Sequence, residues 1–185
     1  TVANRVPIHA SGPYAVPNVS ALTRAVYTNG PIGGAFRGFG VPQSTIVHEA
    51  LLDELAAKAK LDPLEFRYRN ALRVGDATAT GQVLHASAGL ARCVEALRPY
   101  WTQARAAADQ FNARSNGPLR RGVGIACMWY GCGNTVIANP STIRVSLTRS
   151  GRIMFYNGAV DIGQGSNTTL LQVLADALGL PMDVI

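Results

Sequence analysis

The first 32 residues combine several prolines with a short alternating stretch. Between positions 22 and 27, apolar and other residues alternate with the two-residue period of a β-strand. A helix is disfavoured here because proline removes a backbone donor and fixes φ. We therefore predict extended chain over residues 1–32, interrupted at Pro7, Pro13, Pro17 and Pro31.

Residues 44–60 have the spacing of an amphipathic helix, and Pro42 just before them suits a first helical turn. We predict that the acidic residues of this stretch face solvent, on the side of the helix opposite its apolar positions. These acidic residues are Glu49, Asp53 and Glu54. The predicted buried stripe is Ile46, Val47, Ala50, Leu51, Leu55 and Ala56.

Two further helices are predicted. Asp62, Pro63 and Glu65 form the pattern of a helix start, with an acidic cap, an early proline and a glutamate placed to complete a capping box. Residues 88–113 repeat the helical period, and Pro99 is expected to interrupt it. Its apolar positions are predicted to be core: Leu90, Val94, Leu97, Trp101 and Phe111.

The pattern changes after the polar stretch 112–121, so we predict two parts, residues 1–118 and residues 119–185. The first holds extended segments and helices, and the second is a mixed strand–helix unit. The fold class is therefore α+β. Three strands are predicted, at 121–128, 142–147 and 153–156, the last two joined by a hairpin turn.

Composition narrows the class of protein. The chain has 185 residues, 48% of them hydrophobic and 15% charged, which can build one or two domains with a buried core. Its net charge of +6 comes mostly from scattered arginines, which favours a small anionic ligand or an acidic partner over nucleic acid. No apolar run approaches the ~20 residues of a membrane span, and no export signal is present, so we expect a cytoplasmic location.

Side-chain metal ligation is not expected. Three cysteines and three histidines are dispersed without the paired spacing of a zinc or iron–sulfur site. We expect reduced, buried cysteines, and any iron–sulfur centre would lie on another chain or domain. The cysteines are Cys93, Cys127 and Cys132.

The segment Gly33–Gln43, GGAFRGFGVPQ, has the composition of a binding loop. Its four glycines permit positive φ and the close approach of another group. Arg37 adds a fixed cation, and Phe36 and Phe39 add flat apolar faces. A tight structural turn is the alternative explanation of the same residues.

A second glycine corner, Gly163-Gln164-Gly165, follows the predicted strands. We predict a helix behind it over 168–178, with Ser166 and Asn167 as caps. Free N–H groups at such a helix start would form an anion site, and the Gln164 amide can both donate and accept. An ordinary strand–turn–helix corner is the alternative. Neither corner has the spacing of a dinucleotide-binding motif or a P-loop.

Together, these corners resemble motifs of the molybdenum hydroxylases, the family of the xanthine dehydrogenases and aldehyde oxidases. Residues 35–43, Ala-Phe-Arg-Gly-Phe-Gly-x-Pro-Gln, are similar to one motif of the molybdopterin-binding large subunit or domain, and Gly158–Gly165 to another, in the same order. The resemblance covers nearly the whole chain and implies a fragment of that molybdopterin-binding region. It also includes Tyr14-x-x-Pro17-Asn18, Asp62-Pro63-x-Glu65, Arg69-Asn70 and Gly75-Asp76.

The resemblance implies roles for residues of both corners. In the first corner, Arg37 would lie beside the cofactor or substrate, and Phe39 would press against an aromatic substrate. The residues implied in cofactor binding are Gly34, Ala35, Phe36, Arg37, Gly163, Gln164 and Gly165. The protein would supply shape and hydrogen bonds, and no side chain would ligate the metal.

Substrate contacts are implied at three further positions. Arg5 falls where the xanthine-oxidising members carry a substrate-orienting arginine. Asn134 and Thr135 belong to the region that is similar to the family's substrate funnel. Asn134 stands where xanthine-type members have an aromatic wall, which argues against a purine substrate.

The activity implied by the resemblance is hydroxylation of an aldehyde or an N-heterocycle, with water as the oxygen source. The cofactor would be a molybdenum-pterin, either molybdopterin or its cytosine dinucleotide. The implied partners are the remaining molybdenum-binding segments and an iron–sulfur subunit, while an FAD subunit is left open. A small molecule is the expected substrate, with no nucleic acid or membrane partner.

The family's general base is a glutamate that follows a glycine. None of the four glutamates follows a glycine, and all lie in helix-like sequence. The chain alone is therefore expected to be inactive and to form part of a larger polypeptide or assembly. Two alternatives stay open: a non-catalytic cofactor-binding or assembly module, and a phosphate- or nucleotide-binding domain that uses the second corner without molybdenum.

Overall fold

The computed structural model describes residues 2–31, 34, 36–131 and 140–185. The chain divides into two compact units, Thr1–Cys132 and Gly133–Ile185. The predicted division at 118/119 stays a prediction, and the two units separate further along the chain. The described helices and strands are α1 Val2–Ile8, α2 Val41–Lys58, α3 Pro63–Asn70, α4 Leu90–Arg114, β1 Arg144–Leu147, β2 Ile153–Tyr156 and α5 Ser166–Leu178, followed by a 3₁₀ turn at Met182–Val184.

The first segment differs from its prediction. Residues 2–8 form helix α1 with Pro7 inside it, because a proline in the last turn of a short helix disrupts little of the hydrogen-bond ladder. Residues 22–27 are extended but belong to no strand of the described chain. Alternation yields a strand only where a partner edge is available, and none of the described residues provides one here.

Helix α2 begins at Val41, with Pro42 in its first turn as predicted. Its orientation differs from the predicted one. Most of the predicted apolar stripe is exposed, with Ile46 73% accessible, whereas Ala56 is buried as predicted and Glu49 is buried instead of facing solvent. The residues of α2 that are buried are Val41, Ser44, His48, Glu49 and Ala56.

The core of the first unit joins α3, α4 and two extended segments. Asp62 caps α3, since its carboxylate accepts from the N–H groups of Leu64 and Glu65 at 2.9 and 3.2 Å. The same carboxylate accepts the indole N–H of Trp101 at 3.0 Å, which ties α3 to α4. The cluster comprises Tyr14, Leu64, Val94, Trp101 and Cys127.

Two predictions for this core are wrong in part. Helix α4 runs without a break through Pro99, which is exposed, so the carbonyl that loses its donor can bond to water. The strand predicted over residues 121–128 is not observed, because these residues form no ladder with other described residues. They pack instead as a single segment, with Cys127 in the core and Val123 and Ile125 against it.

The second unit contains an antiparallel hairpin followed by a helix. Strands β1 and β2 pair with Arg144 opposite Tyr156 and Leu147 opposite Ile153, which confirms the predicted hairpin. All four β1 residues are exposed, so neither face of this strand is buried by other described residues. Helices with a small sheet confirm the α+β prediction. Within the described ranges, no helix is long and apolar enough to cross a membrane.

Candidate functional site

The first glycine corner is a double turn immediately before α2. Gly38, Phe39 and Gly40 have φ angles of +94°, +50° and +104°. The N–H of Phe39 donates to the carbonyl of Phe36 at 2.8 Å, and the N–H of Val41 donates to the carbonyl of Gly38 at 2.9 Å. A side chain at position 40 would bring its Cβ to 2.5 Å from the carbonyl oxygen of Val2, so only glycine fits against α1.

The corner presents its functional groups outward. Gly34, Phe36 and Arg37 are exposed and Phe39 is half-buried, whereas the predicted contact Ala35 lies outside the described residues. Helix α2 starts here with no side-chain cap and no acidic residue in its first turn. The positive end of its dipole therefore adds to the charge of Arg37, and the geometry suits an anionic or strongly polar ligand.

Arg5, predicted to contact substrate, lies beside this corner. A Cβ at position 40 would lie 3.2 Å from the Cβ of Arg5. The Arg5 guanidinium carbon lies 5.7 Å from the ring centroid of Tyr130. The structure thus brings together Arg5, the first corner and the start of the predicted funnel segment. Asn134 and Thr135 lie outside the described residues.

Below the corner, a buried ion pair fixes α2 to α3. Glu49 accepts a hydrogen bond from Arg67 Nε at 2.8 Å and from the hydroxyl of Tyr14 at 2.6 Å. Arg67 is fully buried and also contacts the exposed carboxylate of Asp53 at 2.8 Å. The prediction that Glu49 faces solvent is wrong, because a buried guanidinium from α3 compensates its charge.

Burial changes the acidity of the groups around this ion pair. Desolvation, followed by the hydrogen bond to Glu49, raises the pKa of Tyr14 far above its ordinary value. Desolvation lowers the pKa of His48, whose Nε2 lies 3.6 Å from Glu49 Oε1. Within the described chain, both ring nitrogens of His48 lack a well-formed hydrogen bond. These residues form the interior support of α2 and do not open onto the corner.

The second glycine corner is closed by its own side chains. Gly163 and Gly165 have φ angles of +99° and +78°. Asp161 accepts from the N–H of Gly163 at 2.8 Å and, through its other oxygen, from that of Asn167 at 3.4 Å. These backbone donors, with Gly163 foremost, lower the pKa of Asp161. The start of α5 therefore already holds a carboxylate.

Gln164 also bonds within this corner. Its Oε1 accepts from the N–H of Ile162 at 2.7 Å, and its Nε2 donates to the carbonyl of Val160 and the hydroxyl of Ser166, both at 2.8 Å. The predicted caps are corrected, since Gly165 is the N-cap and Ser166 and Asn167 are already helical. Two N–H groups of this corner, those of Gly163 and Asn167, already donate to Asp161.

Two features were missed by the sequence reasoning. The Glu49–Arg67 pair joins residues 18 apart, and no local pattern distinguishes it from ordinary solvent-facing helical charges. The role of Asp161 could have been recognised from the sequence, since an aspartate two residues before a glycine often accepts a local backbone hydrogen bond. Among the described residues, no group of three or more His, Cys, Asp or Glu side chains could hold a metal ion.

Comparison with known proteins gives consistent matches along the chain. Two family models, each described as a molybdopterin cofactor-binding domain, match residues 1–71 and 95–185. The xanthine dehydrogenase molybdenum-binding subunit of Escherichia coli O157:H7 is 39% identical over 163 residues, which is 86% of this chain and 21% of that protein. The aldehyde oxidoreductase of Megalodesulfovibrio gigas is 38% identical over 173 residues, covering 92% of this chain and 18% of that protein.

A solved structure agrees with these matches. The aldehyde oxidoreductase of Desulfovibrio desulfuricans superimposes with a TM-score of 0.81 at 32% identity, covering 100% of this chain and 20% of that one. The chain thus spans about a fifth of the length of the proteins it matches. The predicted family is confirmed: this chain belongs to the molybdenum hydroxylases, the family of xanthine dehydrogenase and aldehyde oxidoreductase, and corresponds to part of their molybdopterin-binding region.

Proposed function

We propose that the chain is part of the molybdenum-cofactor-binding subunit of an oxidoreductase that hydroxylates an aldehyde or an N-heterocycle, with water as the oxygen source. The observation that carries this proposal is the first glycine corner, where Arg37 is exposed next to the start of α2, a helix start without a side-chain cap. The names of the relatives, which include a xanthine dehydrogenase subunit and an aldehyde oxidoreductase, support the same activity.

The residues of the first corner fit a molybdenum-pterin. Arg37 and the positive end of α2 suit the charge of a pterin phosphate or of oxygen ligands on the metal. Gly34 and Phe36 would bring backbone groups close to the cofactor, and Phe39 would contact the face of an aromatic substrate. When bound, the cofactor supplies the redox chemistry, in which molybdenum takes up two electrons.

The general base of this reaction is proposed to lie outside this chain. Glu49 is buried against Arg67, Glu65 pairs with Arg69 and Arg98, and Glu95 pairs with Arg98. The carboxylates of these three glutamates are engaged by arginine side chains, so they are not positioned to accept a proton from a reacting group. The remaining molybdenum-binding segments and an iron–sulfur subunit are the proposed partners, and the inactivity of the chain alone and its cytoplasmic location stay predictions.

We propose a different contribution for the second corner. Because its amide groups bond to Asp161 and Gln164, it would hold the pterin end of the cofactor as a preshaped loop rather than as an empty anion site. The side chain of Gln164 would keep the backbone of Gly163 and Gly165 in shape. The same hydrogen bonds argue against the alternative of a phosphate- or nucleotide-binding site at this helix start.

The test uses the complete enzyme that contains this chain. We expect stoichiometric molybdenum and pterin, and incorporation of ¹⁸O from labelled water into the product of an aldehyde or N-heterocycle. Arg37→Ala and Gln164→Ala should each lower molybdenum content severalfold without unfolding the protein.

The matched controls are Arg24→Ala and Gln103→Ala, which alter exposed residues remote in sequence from both corners. They should retain wild-type molybdenum content. A purified enzyme without molybdenum, or a product whose new oxygen does not come from water, would contradict the proposal.

A further inference from the structure

Arg5, His9 and Tyr130 form one packed cluster, although they come from opposite ends of the first unit. The guanidinium carbon of Arg5 lies 5.7 Å from the centroid of the Tyr130 ring. That ring stacks on His9, with centroids 6.0 Å apart and planes 14° apart. His9 also contacts Trp129 at 5.3 Å between ring centroids. The cation of Arg5 is therefore one end of a chain of ring contacts.

His9 anchors this cluster to the helix that starts at the first corner. It is almost completely buried, and its Nδ1 lies 2.9 Å from the carbonyl oxygen of Arg5. A carbonyl can only accept, so Nδ1 carries the proton in this hydrogen bond. The carbonyl of His9 in turn accepts the hydroxyl of Ser44, on α2, at 2.9 Å. The backbone of Arg5 is thus fixed relative to α2.

The side chain of Arg5 is constrained at both ends. Its Cβ lies against Gly40, and its guanidinium lies over Tyr130, whose ring is 45% exposed. A free arginine side chain has many rotamers, and ordering it on binding weakens affinity for a ligand. A ring face that attracts the cation restricts these rotamers before a ligand arrives. The cluster therefore preorganises Arg5 beside the first corner.

We propose that Tyr130 and His9 are positioning residues, which hold the guanidinium of Arg5 so that the site selects substrates bearing a carboxylate or carbonyl oxygen on the reacting ring. The inference rests on the proposed function and on the role that the resemblance implies for Arg5, which is to orient the substrate. A guanidinium offers paired N–H donors that match such oxygens, and its value depends on a fixed orientation. Tyr130 and His9 act through Arg5 and need no contact with substrate.

The test measures binding to the complete, molybdenum-loaded enzyme. Competition titration gives the dissociation constants of nicotinate, which carries a carboxylate, and of pyridine, the same ring without one. The wild type should prefer nicotinate. Tyr130→Leu and Arg5→Met should each reduce that preference about 3- to 30-fold, the range expected for loss of a cation–π contact or its cation. The double variant should lose no more of the nicotinate preference than either single variant.

Conservative variants separate positioning from general damage. Tyr130→Phe keeps the ring and should stay within about twofold of wild type. His9→Asn keeps a donor near the position of Nδ1 but removes the ring, so an intermediate loss is expected. Tyr100→Leu, at an exposed tyrosine of α4, is the control and should leave both dissociation constants unchanged.

If Tyr130→Leu loses molybdenum, a trifluorinated phenylalanine at position 130 serves instead, because it keeps the ring shape while weakening attraction for a cation. It should reduce the nicotinate preference.

A preference lowered by Arg5→Met but unaffected by either change at Tyr130 would overturn this inference and leave the proposed function intact. A wild type without that preference, or an Arg5→Met variant that retains it, would refute the inference and the role of Arg5 together. A lack of molybdenum in the wild type would instead count against the proposed function.

Discussion

The two glycine corners are both rich in glycine, but their shapes have different physical origins. Each ends in a glycine N-cap at positive φ, Gly40 before α2 and Gly165 before α5, and neither glycine has a side-chain cap. A Cβ at Gly40 would meet the backbone of α1 at 2.5 Å, whereas a Cβ at Gly165 would meet no described atom within 4 Å. Surrounding elements impose the first shape, and residues of the loop itself impose the second.

This difference follows from the residues that support the start of each helix. The start of α2 is supported by the buried contacts of Glu49, Arg67 and Ser44, which join it to α3 and to the segment after α1. The start of α5 is supported by Asp161 and Gln164, and all of those hydrogen bonds are exposed. We expect the first corner to be disturbed by substitutions at residues that are distant in sequence but pack against it. The second corner should be disturbed by substitutions within its own loop.

The largest effect is expected from Glu49→Gln. This change leaves the fully buried Arg67 without its buried counter-charge, so the free energy of unfolding should fall by about 3 kcal/mol. That value is at the low end for a broken buried ion pair, since Asp53 still contacts Arg67. Urea unfolding of the protein measures it. A loss below about 0.5 kcal/mol, comparable with the exposed control Glu54→Gln, would contradict the assigned support of α2.

A smaller loss of unfolding free energy should distinguish the two glycine N-caps. Gly165→Ala introduces only the cost of a left-handed residue, about 1 kcal/mol. Gly40→Ala adds a clash with the carbonyl of Val2 and should cost about 2 kcal/mol. Unfolding free energies of the two variants test the comparison. Equal losses would show that both corners are shaped locally.

The smallest effect concerns the pH dependence of the second corner. The pKa of Asp161 is lowered from 3.8 by backbone donors, so its stabilisation is complete above about pH 4 and is lost as the pH falls through the lower folded-state pKa. The protection of the Gly163 and Asn167 amides, expressed as the ratio of the intrinsic to the observed exchange rate at each pH, should therefore fall on acidification.

Asp161→Asn should lower that protection about two- to fivefold at pH 6 and remove its dependence on pH. The control Asp176→Asn lies in the last turn of α5, away from its N-terminus, and should change the protection of neither amide. Unaltered protection of Gly163 in Asp161→Asn would contradict the local origin of this corner.

Local signals predicted much of the secondary structure. The Asp62 cap, Pro42 in the first turn of α2 and the β1–β2 hairpin are all as expected, because each depends on a few adjacent residues. The strand predicted at 121–128 failed for a different reason. Its residues have the correct pattern, but a strand also needs a neighbouring edge, which the described part of the chain does not offer.

The sequence also predicted part of the candidate site. The motif residues identified the family, and the structure adds that Arg5 contacts Tyr130 near the first corner. The orientation of α2 was not predictable, because the sequence of that helix supports either face as the buried one. Its exposed apolar residues would look like core in any reading of the helix alone: Ile46, Val47, Leu51 and Leu55.

By itself, the sequence determined the family, the Asp62 cap of α3, the place of Pro42 in the first turn of α2 and the glycine-rich corners. These depend on covalent geometry and on residues close in the chain. Only the tertiary structure decided that Glu49 is buried against Arg67 and that His9 and Tyr130 hold Arg5. Those contacts join residues far apart in sequence, and their free energies depend on burial, which no local pattern specifies.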